Sequence, residues 1–231
     1  MTEILPLATL ALALALSSLC VHAGRPLATE DAGVLEPGEC EWESFTARTH
    51  ERSSASLRTL STQAGCGVGA SSQLALAVDR EWGGGSRTNA LTLGGKTSLI
   101  ERKNESAGVT LAWSLAAGKQ TGAAMRHEHT ALNLVVSKEL AKDLTGHANL
   151  GLAHSKSAAQ SAVTWNLAAE YALGNGVDVM LEFYGEQHSK PWLGAGLRWA
   201  VTEKFNLDAS YALQSGTAKA KLFTLGAKLA F

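Results

Sequence analysis

Apolar side chains recur at every second position through most of this chain, and that spacing constrains the fold more than any other feature. In the last segment Phe223, Leu225, Ala227, Leu229 and Phe231 alternate with Thr224, Gly226, Lys228 and Ala230. Successive side chains of a strand point to opposite faces, so one face is apolar and the other polar or small. The division recurs in Phe205, Leu207, Ala209, Tyr211, Leu213 against Asn206, Asp208, Ser210, and in Leu193, Ala195, Leu197, Trp199, Val201 against Gly194, Gly196, Arg198. It continues through Val177–Phe183, Val163–Tyr171, Ala148–Leu152, Leu132–Val136, Val109–Leu115, Leu91–Leu93 and Leu74–Val78. Two further segments, 39–49 and 57–68, follow it less cleanly. The count predicts about twelve strands of roughly ten residues, separated by turn chemistry such as Gly174-Asn175-Gly176 and Thr202-Glu203-Lys204. Residues 157–173 are alanine-rich enough for a helix, but the alternation from Val163 to Tyr171 predicts strand.

A soluble barrel would turn its apolar set inward and cover its exterior with charge. Here the second face is mostly Gly, Ala, Ser, Thr and Asn, and charged residues are only 18% of the chain. That suits apolar residues facing lipid around a polar lumen, because only helices and closed barrels satisfy their backbone within a bilayer. No stretch approaches twenty consecutive apolar residues, which argues against helical spans. The expected fold is all-β: a single antiparallel transmembrane β-barrel.

The N-terminus reads differently. Residues 4–19 form an apolar run followed by the small-residue cleavage site Val21-His22-Ala23, so residues 1–23 are expected to be a secretory signal peptide. Its n-region carries only Glu3. Cys20 lacks the small preceding residue that lipidation wants, having Leu19 instead. Residues 24–38 are expected to be a periplasmic segment or a plug of the lumen, and 39–231 the barrel. Apart from Glu3, the chain carries 20 basic and 20 acidic residues, a balance that argues against a nucleic-acid partner. Cys40 and Cys66 remain as an even pair in an exported chain and are expected to form a disulfide. A hairpin register pairing them also pairs Trp42 with Ala64 and Thr46 with Leu60.

The C-terminal segment places Thr224, Gly226, Leu229 and the final Phe231 as in the β-signal that the barrel assembly machinery recognises, and a free last strand is a natural handle for it. The stretch from Arg25 to Ala32, then Pro37-Gly38-Glu39-Cys40-Glu41-Trp42-Glu43, resembles the opening of the phenol meta-pathway family. That resemblance covers about twenty residues. It implies an outer-membrane transport barrel of a Gram-negative bacterium, associated with aromatic degradation, without naming a cargo.

An even strand number puts both termini on the periplasmic side. The phases then turn Glu41, Glu43, Asp79, Lys96, Glu170, Glu182, Arg198, Asp208 and Lys228 toward the lumen. Both signs are present, so pairing across the lumen is expected rather than ion selectivity. A twelve-stranded cylinder is roughly 25 Å across and leaves a bore on the order of 10 Å unless something fills it. His127 and His129 are expected to share an inward face, but no third ligand follows at metal spacing, and no metal or cofactor is expected. Barrel hydrolases carry a Ser two residues after the catalytic His; His154 is followed there by Lys156, and the other mature histidines also lack it, so catalysis is not expected. The outer loops carry Arg52, Arg80, Arg87, Lys119, Arg126, Lys156, Lys190, Lys219 and Lys221. These would either pair with lipopolysaccharide phosphates or remain solvated. The expected function is a small passive channel or transporter for small solutes, hydrophobic or aromatic ones among them. The alternatives are a non-conducting structural or lipopolysaccharide-contacting barrel and, third, a barrel hydrolase.

Overall fold

The computed structural model describes residues 27–52, 55–103, 106–216 and 220–231. The expected signal peptide, Arg25, Pro26 and Lys219 lie outside them. Twelve strands follow one another: β1 (Cys40–His50), β2 (Leu57–Gly69), β3 (Ser72–Gly83), β4 (Ser86–Ile100), β5 (Gly108–Gln120), β6 (Arg126–Ala141), β7 (Leu144–Ser155), β8 (Gln160–Gly174), β9 (Val177–Glu186), β10 (Trp192–Ala200), β11 (Phe205–Gln214) and β12 (Lys221–Ala230). Each pairs antiparallel with its sequence neighbours, and β1 pairs with β12 to close the barrel. Closure removes the open edges that would leave backbone groups unsatisfied in lipid. The last residue completes the seam: Phe231 N–H donates to the Cys40 carbonyl at 2.9 Å, and Cys40 N–H to the Phe231 carbonyl at 3.0 Å. The alanine-rich stretch is strand β8, as the alternation predicts.

The two faces separate as the spacing predicts. On β3, Leu74, Leu76 and Val78 are exposed on the outer wall while Gln73, Ala75, Ala77 and Asp79 are buried. The same contrast holds on β9, with Leu181 and Phe183 exposed against buried Met180, Glu182 and Tyr184. Such an exterior is stable only against lipid, so the strands cross a membrane.

Local irregularities adjust the phase. Asn175, between Gly174 and Gly176, takes a left-handed φ of 53° in the β8–β9 turn, a conformation Asn and Gly tolerate. A register shift between Ala116 and Ala117 pairs His129 with Ala116 but His127 with Ala117. The bulge breaks the strict alternation, so the two histidines do not share a face as expected. His129 is half-buried, whereas His127 is exposed and contacts Thr130 Oγ1 at 3.0 Å.

The first hairpin has the expected register: Cys40 opposite Cys66, Trp42 opposite Ala64, Thr46 opposite Leu60. Cys40 and Cys66 are joined by a disulfide. A closed loop of this size contributes about 3 kcal/mol in the chain-entropy view.

Candidate functional site: the occupied lumen

Residues 27–38 do not extend away from the barrel. They run inside it, starting from the mouth where β1 begins and β12 ends. Pro37 forms an isolated bridge with Gly67, and Gly38 N–H donates to the Gly67 carbonyl at 3.2 Å. Gly67 is needed here: a Cβ on it would lie 2.1 Å from the Glu36 carbonyl oxygen.

From that anchor the segment passes successive strands of the wall. Leu35 N–H donates to Gln73 of β3 at 2.9 Å. Lys96 of β4 donates to the Asp31 carbonyl at 2.7 Å, and its ammonium is 4.0 Å from the Asp31 carboxylate. Thr110 of β5 donates to the Ala32 carbonyl at 2.7 Å, and Ala32 N–H donates to Ser137 of β6 at 2.8 Å. Asn149 of β7 clamps Glu30 from both sides, accepting from its N–H at 2.8 Å and donating to its carbonyl at 3.0 Å. Asn166 of β8 donates to the Ala28 carbonyl at 3.0 Å. Glu182 of β9 accepts from Ala28 N–H at 2.8 Å, Thr29 N–H at 3.1 Å and the Thr29 hydroxyl at 3.1 Å. A chain without secondary structure carries backbone donors and acceptors that must be satisfied when buried, and side chains of the wall do this. Leu27, Thr29, Glu30 and Ala32 are all buried.

The remaining sector pairs its own charges. Arg198 of β10 is salt-bridged to Glu170 of β8 and lies 2.9 Å from Asp178 of β9. Lys228 of β12 is salt-bridged to Glu41 and sits 3.5 Å from Glu43, both on β1, while Gln63 donates to Glu43 at 2.8 Å. Inward glycines make room for acids on adjacent strands. A Cβ on Gly226 would lie 2.6 Å from the Asp208 carboxylate, and one on Gly194 would lie 2.9 Å from Glu182. Asp79 is buried on β3. Each of the nine sequence-predicted lumen residues therefore lies on the inward set. Lys96 and Glu182 meet the segment, and Glu41, Glu43, Glu170, Arg198 and Lys228 meet one another.

Sequence reasoning passed over Gln73, Thr110, Ser137, His147, Asn149, Asn166 and Asp178. Ser137 and His147 face each other across β6 and β7, with Oγ and Nδ1 2.8 Å apart. A Ser–His pair invites a hydrolytic reading, but Ser137 is buried and its oxygen already accepts the Ala32 N–H. Its proton is left for His147, so the pair acts as a clamp. Among the described residues no group of three or more His, Cys, Asp or Glu is placed to hold a metal.

Below the segment, at the terminal mouth, lies a cavity of about 710 Å³ lined by Asp31, Leu35, Arg102, His147, Glu170 and Arg198 among others. Glu30 is the unusual member of the segment. Burial pushes its carboxyl up to about 7 from an ordinary 4.5, and neighbouring Lys96 offsets this only in part. One of its carboxyl oxygens, Oε2, has no hydrogen-bond partner.

A closed twelve-stranded antiparallel barrel with an apolar exterior and a polar lumen defines the class: a transmembrane β-barrel. Within it, the chain belongs to the family described as uncharacterised conserved protein UCP029691, whose model matches residues 11–231. That model is not the phenol meta-pathway family's. The sequence matches no curated protein. Its fold is similar to the KdgM porin, at 10% identity and a TM-score of 0.57 over 82% of this chain and 99% of the porin. It is also similar to an outer membrane channel from Pseudomonas putida F1, at 12% identity and a TM-score of 0.60 over 87% of this chain and 98% of the channel. A third likeness is the β domain of the Bordetella autotransporter BrkA, at 18% identity and a TM-score of 0.54 over 82% and 98% of the two chains. At these identities the likeness is one of fold.

Proposed function

We propose that this chain is a passive channel of the Gram-negative outer membrane for small solutes, hydrophobic or aromatic ones among them, held closed by residues 24–38. The carrying observation is the contrast along the lumen: the segment occupies its terminal half, while beyond it the inward face is mostly small side chains, Ala77, Ala90, Ala116, Ala131, Ala153 and Ala212 with Ser61 and Thr88, and Asp79 among them. Small uncharged side chains suit a path for apolar solutes, and a bracing role alone would have no need of them. Porins and channels among proteins of similar fold support the reading. The resemblance of residues 25–43 to the phenol meta-pathway family supports the aromatic leaning. Residues 1–23 would direct export, Thr224, Gly226, Leu229 and Phe231 would engage the barrel assembly machinery, and the exposed Arg87, Lys119, Arg126 and Lys156 would meet lipopolysaccharide phosphates.

A second reading, a structural barrel with a permanently filled lumen, is favoured by the density of bonds between segment and wall. Planar-bilayer conductance separates the two. The intact protein should conduct weakly, and a variant lacking residues 25–38 should conduct several times more. A truncated barrel that folds, inserts and stays silent overturns the channel.

A further inference from the structure

We propose that Glu30 is a proton-operated latch: neutral, it allows residues 27–37 to dock against the wall; ionised, it drives them off.

The geometry sets this up. Asn149 fixes the Glu30 backbone through two hydrogen bonds and so holds the residue at its buried place on the wall. Glu30 is only 2% exposed, and its Oε2 is unpartnered. A protonated carboxyl tolerates such a site, whereas a carboxylate there has one side-chain donor, Asn133, and leaves Oε2 without any.

The surrounding charges do not compensate. From β4, Lys96 faces Glu30 but is already bonded to the Asp31 carbonyl. Asp31, next along the segment, opposes ionisation of Glu30. From β7, His147 is bonded to Ser137, and from β12 Lys228 is paired with Glu41 and Glu43. From β9, Glu182 is a further acid committed to Ala28 and Thr29. Glu170 of β8 and Asp178 of β9 take up Arg198 of β10. Arg102, beyond β4, lies at the cavity below. From β6, Asn133 hydrogen-bonds the Glu30 carboxyl and favours its ionised form, but burial outweighs it; Thr110 of β5 and Ser137 of β6 are neutral and bonded to Ala32.

The sign follows from the raised value. Docked, Glu30 titrates at about 7; released into water, it returns to about 4.5. Docking is at full strength below the lower value, weakens as pH rises between the two, and levels off above the higher. The span of the two values corresponds to a change in the docking equilibrium of roughly a hundredfold or more.

The test is hydrogen exchange of the folded protein in detergent across pH 4 to 8, corrected for intrinsic rates. Protection of the Ala28, Thr29, Glu30, Ala32 and Leu35 amides should fall by roughly a hundredfold between pH 4.5 and 7 while strand amides hold. Glu30→Gln should flatten the profile at the acid-side level, and Glu36→Gln, at an exposed position, should leave it unchanged. Protection independent of pH in the natural protein, or an equal fall in Glu30→Gln, overturns the latch. Bilayer conductance measured alongside tests the channel separately. A rise with pH supports both readings, whereas loss of protection without any current supports the latch and defeats only the channel.

Discussion

The sector of the wall from β3 to β9 and the sector from β10 round to β1 solve the same problem with different chemistry. Both present polar side chains to the lumen. The first does so largely with neutral groups, Gln73, Thr110, Ser137, Asn149 and Asn166, and it holds a backbone. The second uses full charges: Lys228 holds Glu41 and Glu43 within it, and Arg198 reaches across its border to Glu170 and Asp178 on β8 and β9. Amides and hydroxyls match a peptide chain because they can donate and accept at single-bond strength. Full charges attract counter-charges more strongly than they attract peptide groups, so they lock the wall and leave nothing to grip a guest. Which sector pairs charge with charge and which holds the segment thus follows from side-chain type, not from strand geometry. Lys96 and Glu182 are the charged wall residues that grip the segment, while Glu170 and Asp178 in the same sector are taken up by Arg198.

The largest expected effect lies where the segment joins the barrel. Cys40 is two residues beyond Gly38, so the disulfide to Cys66 ties the base of the segment to β2. Replacing both cysteines by serine should lower unfolding stability by about 3 kcal/mol, read from urea titration of the detergent-folded protein. It should also loosen Pro37 from Gly67 without altering the Arg198 cluster. An unchanged midpoint would mean that the neighbouring β1–β12 seam already constrains the hairpin.

The gripping sector is probed next by Asn149→Ala. This removes both bonds to the Glu30 backbone and leaves a buried N–H and C=O unsatisfied, weakening docking by about 2 kcal/mol. Exchange protection of the Ala28–Leu35 amides should drop roughly thirtyfold while global unfolding barely moves. If protection held, the grip would reside in Glu182 and Gln73 rather than in the amide clamp.

The legibility of these parts in the sequence differs for physical reasons. The outward face was plain because lipid selects large apolar side chains at a fixed period, as in Leu74, Leu76 and Val78. The disulfide register followed from counting back from two cysteines across one hairpin. The gripping sector was hidden because the segment is held through its backbone, which carries no residue signal, and because Asn149 or Gln73 look like any lumen polar residue. Ser137 and His147 were hidden by a bulge. A regular turn about Lys142 and Asp143, with Ala141 opposite Leu144, would set Ser137 against Ala148. The irregularity between Glu139 and Ala141 shifts the register by one and brings His147 opposite instead. Neither histidine spacing nor a His-x-Ser scan can see a pair made by a register shift.

The smallest effect, and the one that sharpens the comparison most, belongs to the self-paired sector. Arg198→Met removes the guanidinium that Glu170 and Asp178 share and keeps most of the side chain's length. Breaking a fully buried pair costs about 3–5 kcal/mol because an uncompensated charge remains. Here the three side chains are 22–24% exposed, so water relieves part of that penalty. The expected loss is about 1–2 kcal/mol in unfolding stability. Added salt should shrink it, because screening eases the repulsion between the two stranded acids. The segment should not notice: its wall bonds described above come from β2 to β9, and none involves Arg198. Amide protection from Ala28 to Leu35 should therefore match that of the natural protein even as the urea midpoint falls. If those amides lost protection as in Asn149→Ala, the two sectors would be one coupled network, and the division between a locked wall and a releasable guest would fail.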